Sequence, residues 1–430
     1  MLGSELGWYR DWRLFAPCIL DVGRRVFFCI QISRMNFFKS KGDIIMLTDQ
    51  QILRIPGPTP IPPSVGRAMA QPMIGHRGES TYSLIRDIRP KLKKVFGTKE
   101  EVMILTGSGT SALESAVVNT VAPGDEVLVL VTGAFGERFA KICQAYGITT
   151  HVFNVEWGQA VDPEAVKNFL GEHPEIRVIF STFCETSTGV LNPIKELAET
   201  VKQVSDALIV VDGVSCVAGT ETEMDKWGVD VVVTGSQKAF MLPAGLAFIA
   251  ASKRAWKKIE ANPQPRFYLD LKKHRDNIEK DTTPFTPAIS ILYGLQQVLN
   301  LLEEEGLENV YRRHRLMRDM TRAAFKALNV RLLTSDEDAS PTVTAVYPED
   351  FDAEQFRKVL KEEFAIEFAG GQQHLAKSIF RVGHMGYCSP ADVLQALAAS
   401  EVVLKKLGQD ITLGAGIAAA QQVFLEGKDK

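Results

Sequence analysis

From residue 102 to residue 251 the chain repeats one local pattern, a short β-branched apolar run followed by an amphipathic stretch. Strands that are apolar along their whole length need cover on both faces, and the amphipathic stretches between them supply it as helices. The pattern therefore predicts an α/β fold built on a mostly parallel sheet. Seven strands are read at 102–105, 126–132, 150–155, 177–183, 207–212, 229–234 and 247–251, with helices at 111–121, 136–146, 162–170 and 193–204. Residues 80–96 carry helical spacing through Leu84, Ile85, Ile88, Leu92 and Val95, but Pro90 sits in the middle and predicts a kink or a restart.

After Pro287 the pattern turns helical (289–305, then 311–327) and leads into a short α+β segment at 342–347 and 353–364. That change divides the chain into a large cofactor-binding domain, 46–307, whose first residues 46–65 form an N-terminal arm, and a small C-terminal α+β domain, 308–408. Residues 409–430 read as a tail with a loosely packed terminal helix. Residues 1–45 mix aromatics and arginines without a steady period. Asp11, Asp21, Arg24 and Arg25 interrupt any secretory or transit pattern, so this stretch is either part of the fold or an upstream extension with Met35 or Met46 as the start.

Charge removes one class of function. Lys and Arg number 49 against 52 Asp and Glu, a net charge of −3, which offers no global cationic field for nucleic acid or an anionic membrane. No apolar run reaches the roughly 20 residues that span a bilayer. The six cysteines (Cys18, Cys29, Cys143, Cys184, Cys216, Cys388) form no C-x-x-C pair, so neither a zinc site nor a disulfide framework is indicated, and a reducing, cytoplasmic setting fits.

Three short segments carry chemistry. In VMILTGSGTSALESAV a strand ends at Leu105 and a small-residue turn, Gly107-Ser108-Gly109-Thr110, opens a helix. Backbone N–H groups there, with the Ser108 and Thr110 hydroxyls, suit a dianionic phosphate, although a tight turn wants glycine without any ligand. In ALIVVDGVSCVAG a buried strand ends in Asp212, at the sheet edge where ligands of open α/β folds bind; alone, the residue reads first as a turn or cap. In VDVVVTGSQKAFMLPAGLAFI a strand delivers Lys238 from a Gly235-Ser236-Gln237 turn. A lysine between two buried strands has its amine pKa lowered, which makes it a nucleophile able to form a Schiff base. Phosphate turn, strand-end acid and strand-flanked lysine, in that order, match the needs of pyridoxal phosphate. The interval from Asp212 to Lys238 leaves room for one crossover and predicts neighbouring strands.

The stretch from about Ile55 to Gly386 resembles the class V, fold-type I aminotransferases of the alanine/serine–glyoxylate and serine–pyruvate group. The resemblance is carried by PGPTPIPP (56–63), TGSGTSALE (106–114), GAFGERF (133–139), ETSTGV (185–190), VVDGVS (210–215), GSQKA (235–239), TPAIS (286–290) and FRVGHMG (380–386). It implies ping-pong transamination from a small amino acid, alanine or serine, to a 2-oxo acid such as glyoxylate or pyruvate. It further implies a homodimer with active sites at the interface, which composition alone does not indicate.

By the same resemblance Lys238 is the catalytic Schiff-base lysine and proton shuttle. Asp212 partners the pyridine nitrogen; Ser108, Gly109, Thr110 and Gln237 hold the phosphate; Phe135 stacks on the cofactor ring, and Thr186 lies by its substituents. Thr286 resembles the threonine that reaches the partner subunit's phosphate. Arg381 is the expected clamp for the substrate carboxylate, and Gly57 allows the backbone close to the substrate. Vertebrate peroxisomal relatives carry His where Thr110 stands and Trp where Phe135 stands, so stacking and phosphate contacts differ here. His76 and Arg77 in MIGHRGES read as substrate-loop residues or as a solvated loop. Aspartate or ureidoglycine as donor remains open. A cysteine desulfurase of the same fold usually has His before the lysine, whereas Gln237 stands here with Cys388 as its nearest candidate thiol. An accessory protein in which Lys238 is merely structural is the reading from a different class.

Overall fold

All seven predicted strands form, and they form one sheet. The computed structural model describes residues 51–427, so the expectations for residues 1–50, Met35 and Met46 included, lie outside the described residues. The strands are β1 (Val102–Gly107), β2 (Glu126–Val131), β3 (Thr149–Asn154), β4 (Ile176–Thr182), β5 (Leu208–Asp212), β6 (Val231–Gly235) and β7 (Gly245–Ala251), in the order β1-β7-β6-β5-β4-β2-β3. Every neighbouring pair is parallel except those of β7, which runs antiparallel to both β1 and β6.

The two-residue period of the strands sorts their side chains into two cores. Met103, Leu105, Val129 and Val231 face one side, where they meet Ala112 and Val117 of α2 (Gly109–Thr120) and Phe139 of α3 (Ala134–Ala145). Val102, Ile104, Leu128 and Val232 face the other, against Ile85 and Leu92 of α1 (Glu79–Phe96). Each such side chain contributes roughly 1.5–3 kcal/mol on burial, so the sheet is fixed from both faces. That packing also decides the fate of Pro90. The predicted restart does not occur, and α1 runs through Pro90 as one element with Leu84, Ile85, Ile88, Leu92 and Val95 all buried. The lost backbone bond and ring clash cost about 3 kcal/mol, less than two such buried side chains return.

Beyond a helix at Ile289–Glu305, a long helix, Leu307–Ala327, leads into a three-stranded antiparallel sheet in which Phe380–Gly383 lies between Val343–Val346 and Ala369–Gly370. Phe325, Phe356, Phe368 and Phe380 pack into its core. The terminal helix, Ala415–Glu426, is not the loosely packed appendage expected. Ala420 is fully buried in the same core, and the Glu401 carboxylate accepts from the backbone N–H groups of Gly414 and Ile417 at the helix start. A carboxylate there satisfies orphan donors and meets the positive end of the helix dipole.

The N-terminal segment links the two sheets. Ile52–Leu53 pairs in parallel with Ile366–Glu367, and Gly383 N donates to Arg54 O at 2.7 Å. The chain then crosses through Pro56–Thr59 to the turn bearing Lys238, where Thr59 Oγ donates to Lys238 O at 2.9 Å.

Candidate active site

The carboxyl ends of β1, β5 and β6 bring the three predicted segments together. Asp212 ends β5, and its register partner on β6 is Val233, two residues before Gly235, so Asp212 and the Lys238 turn lie on neighbouring strands as predicted. A short helix, Met224–Trp227, occupies the connection between them. The phosphate turn touches the lysine turn directly, because a Cβ placed on Gly235 would stand 3.1 Å from both Cα and N of Gly109. A Cβ on Gly109 would meet Val214, two residues past Asp212, at 3.0 Å. The missing side chain at both positions lets the turns close on one another without displacing a neighbour.

Lys238 is 9% exposed, and its ammonium donates to Pro56 O. Burial, helped by the positive Arg381, pulls its pKa down from 10.5 to about 8. Asp212 moves the other way, up to about 7, because burial disfavours the carboxylate; the Val214 N–H that donates to Oδ1 at 2.8 Å only partly opposes this, and the negative Glu185 reinforces the rise. The Val214 contact is the turn role that the sequence allowed for Asp212, and it uses one carboxylate oxygen.

Ser108 is the N-cap residue of α2, but its side chain makes no capping bond, and α2 has no acidic residue in its first turn. The start of a twelve-residue helix thus presents N–H groups beside the exposed Ser108 and Thr110. Gln237 Oε1 is buried with no hydrogen-bond partner among the described residues, and it faces the Gly235 turn. Thr186 is buried, its hydroxyl bonded to that of Ser215 and its carbonyl accepting from Arg381 Nη1 at 2.9 Å. Arg381 lies on Phe380–Gly383 and also donates through Nε to Gly370 O at 2.8 Å. It is 6% exposed, burial lowers its pKa to about 10, and among the described residues no carboxylate forms a salt bridge with it. A buried guanidinium held by two carbonyls, with the Glu185 charge near but no carboxylate in contact, is suited to an incoming carboxylate.

Phe135 stands on the first turn of α3, with the Arg138 guanidinium 4.7 Å from its ring centroid and Arg138 Nη1 3.4 Å from Thr110 Oγ. Thr286 is not joined to this cluster within one chain. It is exposed, on a segment anchored where Ala288 N donates to Thr106 Oγ at 3.2 Å. Arg77 donates to Thr282 Oγ and Pro284 O on that same segment, so the MIGHRGES loop lies beside Thr286 rather than against Lys238. Cys388 is 5% exposed with its thiol pushed up to about 11 by burial, the opposite of an activated nucleophile.

Glu185 opens the ETSTGV motif, and nothing in the sequence gives it a role. It is fully buried and clasps the start of α3: Oε2 accepts from the N–H groups of Phe135 (3.1 Å) and Gly136 (3.0 Å), and Oε1 from the N–H and hydroxyl of Ser187. Ser187 Oγ in turn accepts from Ala134 N at 3.0 Å. A Cβ on Gly133 would collide with Ser187 and Glu185, so the glycine of GAFGERF admits the clasp. The signal in the sequence is a carboxylate inside an otherwise small, polar, buried run.

These residues fit pyridoxal phosphate on their own geometry. The uncapped α2 start, the neutral-leaning Asp212 and the lysine with lowered pKa each lack what phosphate, pyridine nitrogen and aldehyde would supply.

Known proteins agree with the geometry. Residues 57–397 match the family described as class-V aminotransferases. The chain is 42% identical to a protein named the small subunit of a soluble hydrogenase from a Synechococcus strain, over 88% of this chain and 99% of that one. It is 36% identical to the serine–glyoxylate aminotransferase of Methylorubrum extorquens, over 87% and 96%. The crystal structure of the ureidoglycine–glyoxylate aminotransferase of Bacillus subtilis superposes with a TM-score of 0.82 at 31% identity, covering 88% of this chain and 99% of that one.

Proposed function

The chain belongs to the class V aminotransferases, which are pyridoxal-phosphate-dependent enzymes, and from that premise we propose that it moves an amino group from alanine or serine to glyoxylate or pyruvate. The acceptor rests on the two relatives above, both named for glyoxylate. The donor rests on the name of the serine–glyoxylate relative and on Arg381, a buried guanidinium with no carboxylate in salt-bridge contact among the described residues, enough for a single substrate carboxylate.

When bound, pyridoxal phosphate supplies the aldehyde that accepts the amine and a ring that withdraws electrons from the adjoining carbon. The other work falls to this chain. Ser108, Gly109, Thr110 and Gln237 receive the phosphate, Phe135 covers the ring, Thr186 lies by its edge, and Asp212 holds a proton on the pyridine nitrogen. Arg381 grips the substrate carboxylate through its planar fork. Lys238, its pKa lowered by burial to about 8, would take the proton from the substrate Cα and return it at the carbon that had carried the cofactor's aldehyde, across the amine nitrogen. Gly57 keeps the space above the lysine open.

The same reading makes the enzyme a homodimer, since Thr286 is exposed and its hydroxyl is suited to the phosphate of a second copy. It places the enzyme in the cytoplasm, in keeping with four free buried cysteines among the described residues. Among the described residues no helix is long and apolar enough to cross a membrane.

The observation that carries the proposal is the meeting of Lys238 and Asp212 at one sheet edge, with Arg381 of the three-stranded sheet close enough for its charge to lower the lysine's pKa. Its test is a donor-by-acceptor panel on protein reconstituted with pyridoxal phosphate, with borohydride fixing the cofactor on Lys238. Lys238→Ala should lose the visible absorbance and about 10²–10⁴-fold or more in turnover. A protein that takes up no cofactor would instead support an accessory subunit on this fold, the role suggested by the name of the Synechococcus relative.

A further inference from the structure

At the opposite, amino-terminal edge of the sheet, His151, His173 and Glu175 converge, with Glu126 against His151. Glu126 opens β2, His151 is the third residue of β3, His173 caps the carboxyl end of the helix Pro163–Glu172, and Glu175 immediately precedes β4. Glu126 Oε2 lies 2.7 Å from His151 Nε2, Glu175 Oε1 lies 2.9 Å from His173 Nδ1, and Glu175 Oε1 lies 3.8 Å from His151 Nε2. One ligand atom from each of His151, His173 and Glu175 falls within a sphere of mutual distances no greater than 4.8 Å, the one such His/Cys/Asp/Glu group among the described residues.

We propose that His151, His173 and Glu175, with Glu126 as the fourth group, form a binding site for a divalent transition-metal ion of the zinc class. Ligands at 2.0–2.2 Å around a tetrahedral ion stand roughly 3.3–3.6 Å apart; the observed glutamate–imidazole separations of 2.7, 2.9 and 3.8 Å scatter about that value, and the ligand atoms of His151, His173 and Glu175 lie within 4.8 Å of one another. Small rotations of two glutamate side chains are enough to open the first two contacts and close the third. The imidazoles are already gathered. Their ring centroids are 4.8 Å apart, and Phe169 backs both, 4.3 Å from His173 and 6.3 Å from His151. Each of the four is partly exposed, which gives an ion a path from solvent and the displaced protons a path out. Two nitrogen ligands of four select a borderline ion such as Zn²⁺ or Co²⁺ over Mg²⁺ or Ca²⁺, which take oxygen. Bound there, the ion ties together the starts of β2 and β4, the body of β3 and the end of one helix.

The experiment uses the full-length holoenzyme, stripped with chelator and titrated with Zn²⁺ alone by calorimetry, then with Co²⁺ by visible absorption. The expected result is one equivalent per chain at micromolar affinity or tighter, a higher melting temperature, and cobalt bands free of the thiolate charge-transfer absorption that a cysteine site would give. His173→Gln and Glu175→Gln should each weaken binding at least tenfold while the cofactor absorbance is unchanged, which reports intact folding. No saturable binding, or binding equally tight in both variants, would overturn the site. Cobalt bands with thiolate character would do the same, by placing the ion elsewhere.

Discussion

Gly57 stands against Lys238 so closely that a β-carbon on the glycine would come within 2.8 Å of Nζ, and its φ of +94° is one that other residues rarely adopt. The carbonyl that accepts the lysine's hydrogen bond belongs to the preceding residue, Pro56, so one turn of backbone both crowds and holds the reactive amine. Gly57→Ala should therefore act on chemistry more than on fold. We expect kcat to fall at least tenfold through displacement of Nζ, with a stability loss of about 1–3 kcal/mol from the left-handed backbone. Steady-state kinetics beside a melting curve separates the two, and an unchanged kcat would refute the crowding.

Arg381→Ala tests the carboxylate clamp. Removing a buried charged partner of a bound carboxylate costs about 2–5 kcal/mol, so kcat/KM should fall by roughly 10²-fold or more for every amino acid donor. Arg381→Lys should not restore it, since one ammonium cannot keep both carbonyl contacts, to Thr186 and Gly370, and still present a fork to the substrate. A donor-independent kcat/KM equal to wild type would place the clamp elsewhere.

Glu185→Ala tests a role seen only in the structure. The substitution leaves the buried N–H groups of Phe135 and Gly136 without their acceptor, each at about 1–3 kcal/mol, at the turn that presents Phe135 to the cofactor. The expected outcome is a lower melting temperature and faster loss of pyridoxal phosphate on dialysis, partly offset at saturating cofactor. Retention and melting equal to wild type would show that the clasp does not position Phe135.

Much of this was readable from residue types alone. The strands announced themselves because β-branched runs buried on both faces have no other stable use, and Lys238 because a charged residue between two such runs demands a reason. Glu185 escaped because its partners are backbone N–H groups of a helix start some fifty residues away, and no local pattern encodes which helix start a buried carboxylate will meet. The restart expected at Pro90 failed for the complementary reason. A local rule gave the cost of proline correctly, and the depth of the core beneath α1, which outweighs it, is a tertiary fact. The terminal helix is similar, since the surface that buries Ala420 is assembled from helices far upstream.

The opposed shifts of Asp212 and Lys238 predict how the cofactor-free protein responds to pH. Asp212 has its pKa raised from 3.8 to about 7, so between those values the folded chain holds a proton that the unfolded chain has released. Its stabilising contribution is full below 3.8 and is lost as pH rises through 7. Lys238, lowered from 10.5 to about 8, contributes fully above 10.5 and loses that contribution as pH falls through 8. Between pH 7 and 8 both groups disfavour the empty fold, a cost that bound pyridoxal phosphate removes. Asp212→Asn keeps an oxygen for the Val214 N–H and deletes the charge, so without cofactor it should melt higher than wild type at pH 8. The gain is the part of the burial cost of the carboxylate that its attraction to Lys238 does not offset. At pH 4 the two should nearly coincide. Melting curves of the cofactor-free proteins across that range decide the matter, and an Asn variant no more stable than wild type at pH 8 would mean that Asp212 is not the strained acid of this site.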